Sequence, residues 1–264
     1  YYALIPKVDG IPNNLLIEKK FLHPVLKSPK ECKSICVKPS NLKIKVFVCN
    51  KSKEELRDKK VLKYIEWGES QNFNNIPTVR SRRMWWDLGK KINSEIAWIK
   101  SVNDAHLTPT LSNKTLIDQR LYAIRPKKDV DSSMLKLLLN SFIIFLFKEI
   151  YGRVNLGEGV LDTAVYEISK YYILDPKMIN PKSSLNSIYE DIALREIPSV
   201  FEECSINPKK PIREQEPHPF QDRMELENFI FNELELDPNE RKEVYWSVCE
   251  LVKQRLDKAD SVGR

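Results

Sequence analysis

Seven glycines are few for 264 residues, and only Gly157 and Gly159 stand close together. No G-x-G-x-x-G or P-loop spacing results, so no loop is evident that would cradle a phosphate. No G-x-S-x-G occurs, and three scattered histidines (His23, His106, His218) suggest no catalytic triad. Asn180-Pro181 and Asn207-Pro208 are each followed by lysine. The Asn/Asp-Pro-Pro-aromatic loop that grips an extruded adenine is therefore missing as well. The longest apolar run, Leu137–Phe147, contains Asn140 and is bounded by Lys136 and Lys148. It falls short of the roughly 20 apolar residues of a membrane span and predicts a buried helix instead. The five cysteines (Cys32, Cys36, Cys49, Cys204, Cys249) are odd in number, with no secretory signal before them. Reduced thiols and a cytoplasmic location are expected. His23, Cys32, Cys36 and Cys49 fit no zinc finger or ribbon spacing, so buried thiols are the expectation there.

Charge is plentiful but unevenly spread. Residues 1–128 hold 26 Lys and Arg against 12 Asp and Glu, a net of +14. Residues 129–264 hold 17 against 25, a net of −8. A basic half joined to an acidic half suggests two jobs, with the basic half facing a polyanion. The composition, 42% hydrophobic and 30% charged, is that of a soluble globular chain with one large or two smaller domains. The sequence opens on Tyr1 rather than Met, and the simplest expectation is a piece of a longer polypeptide.

The most informative stretch is Thr78–Lys91, TVRSRRMWWDLGKK. Arg80, Arg82 and Arg83 run into Trp85 and Trp86, and Lys90 and Lys91 follow. Guanidinium forks suit phosphates and guanine edges, and aromatic faces suit bases. The alternative is a core role for the tryptophans, with Trp85 the expected core residue and Trp86 supporting the loop or stacking. Asn72, Asn74 and Asn75 on the preceding loop could read adenine, and Lys27 and Lys30 in the KSPK loop could reach phosphates.

The periodicities predict a mixed α+β chain. Tyr1–Lys7, Asn14–Phe21, Leu42–Cys49, Glu95–Val102, His106–Leu111 and Leu121–Arg125 read as strands. Lys53–Lys59 and Val61–Trp67 read as short helices. Ser133–Tyr151 reads as one long buried helix, started by Asp131 or Ser132 and ended by Gly152. Beyond a linker near Ile179–Ser184 the pattern turns helical, ending in Asp222–Glu235 and Pro238–Lys258. This gives a strand-rich basic domain over 1–178 and an acidic helical region over 179–264. One weak catalytic pattern remains: Asp9 with Glu18-Lys19-Lys20 has the acid…Glu-x-Lys form of metal-dependent nucleases, in which Asp9 and Glu18 would hold the cation and Lys20 would steady water.

Several separated segments together resemble one family. They are FLHPVLKSP (Phe21–Pro29), VLKYIEWGE (Val61–Glu69), RSRRMWWDLG (Arg80–Gly89), LYAI (Leu121–Ile124), YGRVNLGEGVL (Tyr151–Leu161), FQDRMELE (Phe220–Glu227) and LVKQRLDKADSV (Leu251–Val262), with LLNS at Leu138–Ser141 and LDP at Leu174–Pro176. Their order resembles the C-terminal target-recognition part of N-6 adenine DNA methyltransferases of prokaryotic restriction–modification systems, including fused restriction–methylation enzymes. The resemblance implies a fragment that recognises double-stranded DNA and is itself non-catalytic. S-adenosylmethionine would bind in an upstream methyltransferase domain or a separate methylase subunit. A free-standing specificity subunit, the nuclease above and a protein–protein module are the competing readings.

Overall fold

The computed structural model describes residues 2–3, 15–89, 93–112, 114–154, 159–179 and 184–262. Asp9, Lys90 and Lys91 lie outside them. In chain order the elements are β1 (Tyr2–Ala3), β2 (Leu16–Ile17), β3 (Leu22–Leu26), β4 (Cys36–Val37), β5 (Lys45–Phe47) and α1 (Val61–Ser70). Then come β6 (Ile96–Ile99), β7 (Ser101–Val102), β8 (Thr110–Leu111), β9 (Leu116–Ile117), β10 (Leu121–Ile124), α2 (Ser132–Leu138) and α3 (Phe142–Tyr151). Last are β11 (Arg153–Val154), β12 (Leu161–Asp162), α4 (Val165–Ile168), α5 (Ser184–Leu194), α6 (Val200–Glu203), α7 (Gln221–Glu233) and α8 (Pro238–Val262). The fold is α+β, as the sequence predicts.

The strands are short and form small sheets, some mixed and some antiparallel. The largest has the order β10-β6-β8-β4, with β4 and β8 parallel and the other pairs antiparallel. A second joins β5, β3 and β9, and a third joins β11, β12 and β7. The expected strand Glu95–Val102 therefore divides at Lys100, its two halves serving different sheets. Leu42–Cys49 and His106–Leu111 shrink to Lys45–Phe47 and Thr110–Leu111, and the expected helix Lys53–Lys59 to a 3-10 turn at Glu54–Leu56.

The single long helix predicted over Ser133–Tyr151 is in fact two helices, broken at Leu139-Asn140-Ser141. Asn140 is fully buried, and its amide treats Thr108 as a neighbouring strand would: Oδ1 accepts from Thr108 N at 2.8 Å and Nδ2 donates to Thr108 O at 3.0 Å. Ser141 then caps α3, and Phe142 N donates to Glu227 at 3.0 Å. Buried polar groups must be paired, and here the pairing is long-range, so the helix yields to it.

Hydrophobic clusters tie the halves together. The largest contains Leu26, Val37, Ala97 and Leu138 beside Ile192, Leu226 and Ile230, so residues on both sides of position 178 share it. Two buried ionic networks sit against this core. In one, Arg223 on α7 pairs with Glu203 and Glu227 and donates to Asn140 O. In the other, Arg255 on α8 bonds both carboxylate oxygens of Glu149 at 3.0 Å, and His106 Nε2 lies 2.7 Å from the same carboxylate. Burial pushes the Glu149 carboxyl up, but hydrogen bonds and charge from His106 and Arg255 prevail and hold it below its ordinary value. Lys148 is buried with its Nζ 4.5 Å above the Trp98 ring, and burial draws its pKa down to about 7. Cys32 belongs to the largest cluster and Cys49 to another, and burial lifts the Cys32 thiol to about 12.

Candidate nucleic-acid interface

The segment from Asn72 to Gly89 has no regular structure beyond a 3-10 turn at Phe73–Asn75, yet it is held at many points. Asn72 adopts a left-handed conformation (φ 59°) at the end of α1, a position asparagine tolerates better than most residues. The Ile76 carbonyl accepts from both Val79 N and Arg80 N at 2.9 Å, making a tight turn before the arginines. Arg82 Nη1 donates to Asp87 O at 2.8 Å, and Asp87 Oδ1 accepts from Gly89 N at 2.8 Å.

The tryptophans anchor this loop, in the reverse of the expected order. Trp86 is the buried one, 8% exposed, and its Nε1 donates to Lys51 O at 3.2 Å. It is part of the core with Ile17, Phe21 and Ile65, so base stacking by Trp86 gives way to a supporting role. Trp85 is partly buried and lies on α1 at Gly68, within an aromatic series. Phe47–Tyr64, Tyr64–Trp67, Trp67–Phe73 and Phe73–Trp85 have ring centroids 5.2, 5.9, 5.4 and 6.3 Å apart. Such contacts fix orientation as well as burying area.

Two open grooves flank the loop. One, of about 510 Å3, is lined by Asn74, Asn75, Arg80, Arg82 and Arg83. The other, of about 540 Å3, has Lys27 and Arg82 among its lining residues, 55 positions apart in the sequence. Arg82, Trp85 and Trp86 border both. Seven of the nine described residues expected at the site therefore meet around this loop: Lys27, Asn74, Asn75, Arg80, Arg82, Arg83 and Trp86. Asn72 and Lys30 line neither groove, though Asn72 Oδ1 accepts from Asn75 Nδ2 at 3.4 Å. Lys30 is exposed on the turn Pro29–Glu31, where Ser28 and Glu31 form a capping box. Sequence reasoning missed Tyr64 and Phe73 as walls of the second groove. The signal that could have found them was the spacing of Tyr64 and Trp67 on one face of α1 with Phe73 just beyond.

The state of the arginines differs across the chain. The side chains of Arg80 and Arg83 are exposed and make no hydrogen bond or ion pair to a described residue, and the Arg82 fork meets only a backbone oxygen. In the acidic half, Arg195 pairs with Glu203 and Asp222, Arg213 with Glu243 and Glu250, and Arg223 and Arg255 with buried carboxylates. Two unengaged guanidinium groups and a third held by one backbone bond, all on one exposed loop, have donors to spare for phosphate or base edges.

Of the nuclease pattern, Asp9 lies outside the described residues, and Glu18 is engaged elsewhere. Its two carboxylate oxygens accept from Lys60 N at 2.8 Å and Val61 N at 3.1 Å, so Glu18 caps α1. Lys20 lies 5.1 Å from the Phe21 ring centroid. Among the described residues no three His, Cys, Asp or Glu side chains gather as a metal site would require, and no helix is long and apolar enough to cross a membrane.

A comparison with curated proteins returned no match. Among solved structures, the chain is similar to that described as the type IIG restriction endonuclease BpuSI, with a TM-score of 0.56 at 9% identity. At that identity the likeness speaks to the fold. The alignment covers 94% of this chain but 27% of the endonuclease, so the chain spans about a quarter of the length of that enzyme. Residues 30–205, well over half the chain and including the arginine loop, match the family described as "Type II methyltransferase M.Eco57I, C-terminal domain". The chain belongs to that family of type II restriction–modification methyltransferase C-terminal domains.

Proposed function

We propose that this chain recognises double-stranded DNA for an adenine-N-6 methyltransferase. The loop Asn72–Gly89 and the flanking Lys27 and Lys30 supply the contacts. Arg80, Arg82 and Arg83 take phosphates or guanine edges, and Asn74 and Asn75 stand where an adenine edge could be read. Lys90 and Lys91, next along the chain, add phosphate contacts. Residues 1–178 grip the duplex, and the acidic 179–264 region is scaffold. S-adenosylmethionine binding and methyl transfer belong to a methyltransferase domain that is not in this sequence. Alignment with about a quarter of a larger enzyme supports a domain fused on the same polypeptide over a separate methylase subunit. A prokaryotic, cytoplasmic setting is part of this reading.

The observation that carries it is the contrast among arginines. Arg195, Arg213, Arg223 and Arg255 in the acidic half are paired with carboxylates; the arginines of the loop are exposed with no acidic partner among the described residues. A polyanion is the partner such a cluster lacks. The test is a titration of duplex DNA at stepped salt concentrations. Affinity should fall linearly on a log–log scale. Replacing Arg80, Arg82 and Arg83 together should flatten the slope by about 0.9 for each phosphate that the variant no longer neutralises. Binding indifferent to salt, or none at low salt, would overturn the reading.

A further inference from the structure

The groove containing Lys27 is larger and more apolar than phosphate contact alone requires. Its volume of about 540 Å3 falls within the range of sites that enclose a small organic molecule, roughly 300–1,000 Å3. Tyr64, Phe73 and Trp85 form aromatic walls, and Val25 on β3 and Val46 on β5 close another side. Lys27 and Arg82 bring cations to the same cleft from separate chain segments. The Tyr64 hydroxyl has no hydrogen-bond partner among the described residues. Asp118 also borders the cleft; its Oδ1 accepts from Arg120 N at 3.1 Å, and its second oxygen is an acceptor suited to an exocyclic amino group. Ring faces for a planar heterocycle, cations for flanking phosphates and an acceptor for an amino edge together match one nucleotide.

We infer that this cleft accommodates a single unstacked nucleotide of the bound DNA, its base against Tyr64, Phe73 and Trp85 and its phosphates near Lys27 and Arg82. The inference rests on the DNA-recognition reading and deepens it. Continuity supports it, because Arg82 and Trp85 border both the cleft and the arginine groove. A strand following the arginines passes the mouth of the cleft. A fully paired duplex shows no free base face, so the nucleotide must leave the stack. That step costs a few kcal/mol in paired DNA and least where the base is already unpaired.

The test compares two duplexes of equal length at low salt with the 264-residue chain, one fully paired and one carrying a single bulged 2-aminopurine. The bulged duplex should bind about tenfold more tightly, the value of one base–aromatic stack, with 2-aminopurine fluorescence quenched on binding. Val25→Trp and Val46→Trp, each filling the cleft from a strand, should abolish the preference and the quenching while paired-duplex binding persists. The wild-type comparison needs no variant, so a misfolded substitution does not spoil it. Equal affinities without quenching would overturn the cleft and leave DNA recognition standing. A preference that survives both fillings would place the base elsewhere and also overturn the cleft. Failure to bind either duplex would overturn the DNA-recognition reading itself.

Discussion

Trp85 occupies the space a side chain on Gly68 would need: a β-carbon there would lie 2.5 Å from Cζ2 of the indole. Gly68 is helical and buried, so its value is the room it leaves rather than unusual backbone angles. The part of the loop that follows the arginines is thereby seated on α1, and Trp86 fixes its other side through Lys51 O. Gly68→Ala should force Trp85 off its seat. Overpacking of this kind costs about 1–3 kcal/mol, and the expected outcome is a lower melting temperature together with weaker DNA binding. Thermal denaturation and the duplex titration, run on one preparation, check both.

Replacing Arg80, Arg82 and Arg83 with glutamine should leave stability nearly unchanged. The three are exposed, and the one hydrogen bond among their side chains ends on Asp87 O. Surface changes of this sort stay within about 0.5 kcal/mol. DNA affinity should nevertheless drop and lose much of its salt sensitivity. Unfolding of the triple variant would mean that the arginines hold the loop rather than a ligand.

Glu18→Ala should cost about 1 kcal/mol, because it strips the α1 terminus of an acceptor for two backbone donors. Chemical denaturation measures this directly. Magnesium-dependent DNA cleavage that disappears in the same variant would revive the nuclease reading.

Asn140→Ala should be severe. It removes the partner of Thr108 N and O and leaves both backbone groups buried beside a small void. Each unsatisfied group costs about 1–3 kcal/mol, so a loss of about 3 kcal/mol or more is expected in an equilibrium unfolding experiment.

Lys148 gives a pH-dependent prediction. Burial lowers its pKa from an ordinary 10.5 to about 7 in the folded chain. Below pH 7 both folded and unfolded chains hold the proton, and the cost of the buried charge is constant. Between about 7 and 10.5 the unfolded chain binds more protons, so stability contributed at this position rises with pH. Lys148→Met, of similar length and uncharged, should raise the melting temperature most below pH 7, with the gain shrinking toward pH 10. A gain that is flat across this range would show that the amine does not titrate as the fold requires.

What could and could not be read ahead of the fold follows from the range of the interactions involved. Asp131 was legible as a helix start because capping is local, and it accepts from Ser133 N and Met134 N as expected. The break at Asn140 was not, because its cause is Thr108, 32 positions away. Glu18 looked like a nuclease carboxylate since its role as a cap depends on Val61, 43 positions on. The choice between Trp85 and Trp86 could not be made from adjacency, because burial depends on which side of the loop meets the core.

The mixed α+β composition, the split between a basic and an acidic half, and the concentration of Arg80, Arg82 and Arg83 beside two indoles were all set by the chain alone. These are properties of composition and short spacing, written in the residues without reference to the path they take. Three others waited on the packing: that Lys27 shares a groove with Arg82, that Trp86 is the buried anchor, and that Arg195, Arg213, Arg223 and Arg255 of the acidic half are paired with carboxylates while the arginines of the loop are not. Pairing of charges and closure of a cleft depend on which distant segments packing brings within a few ångströms, and local residue patterns do not encode that distance.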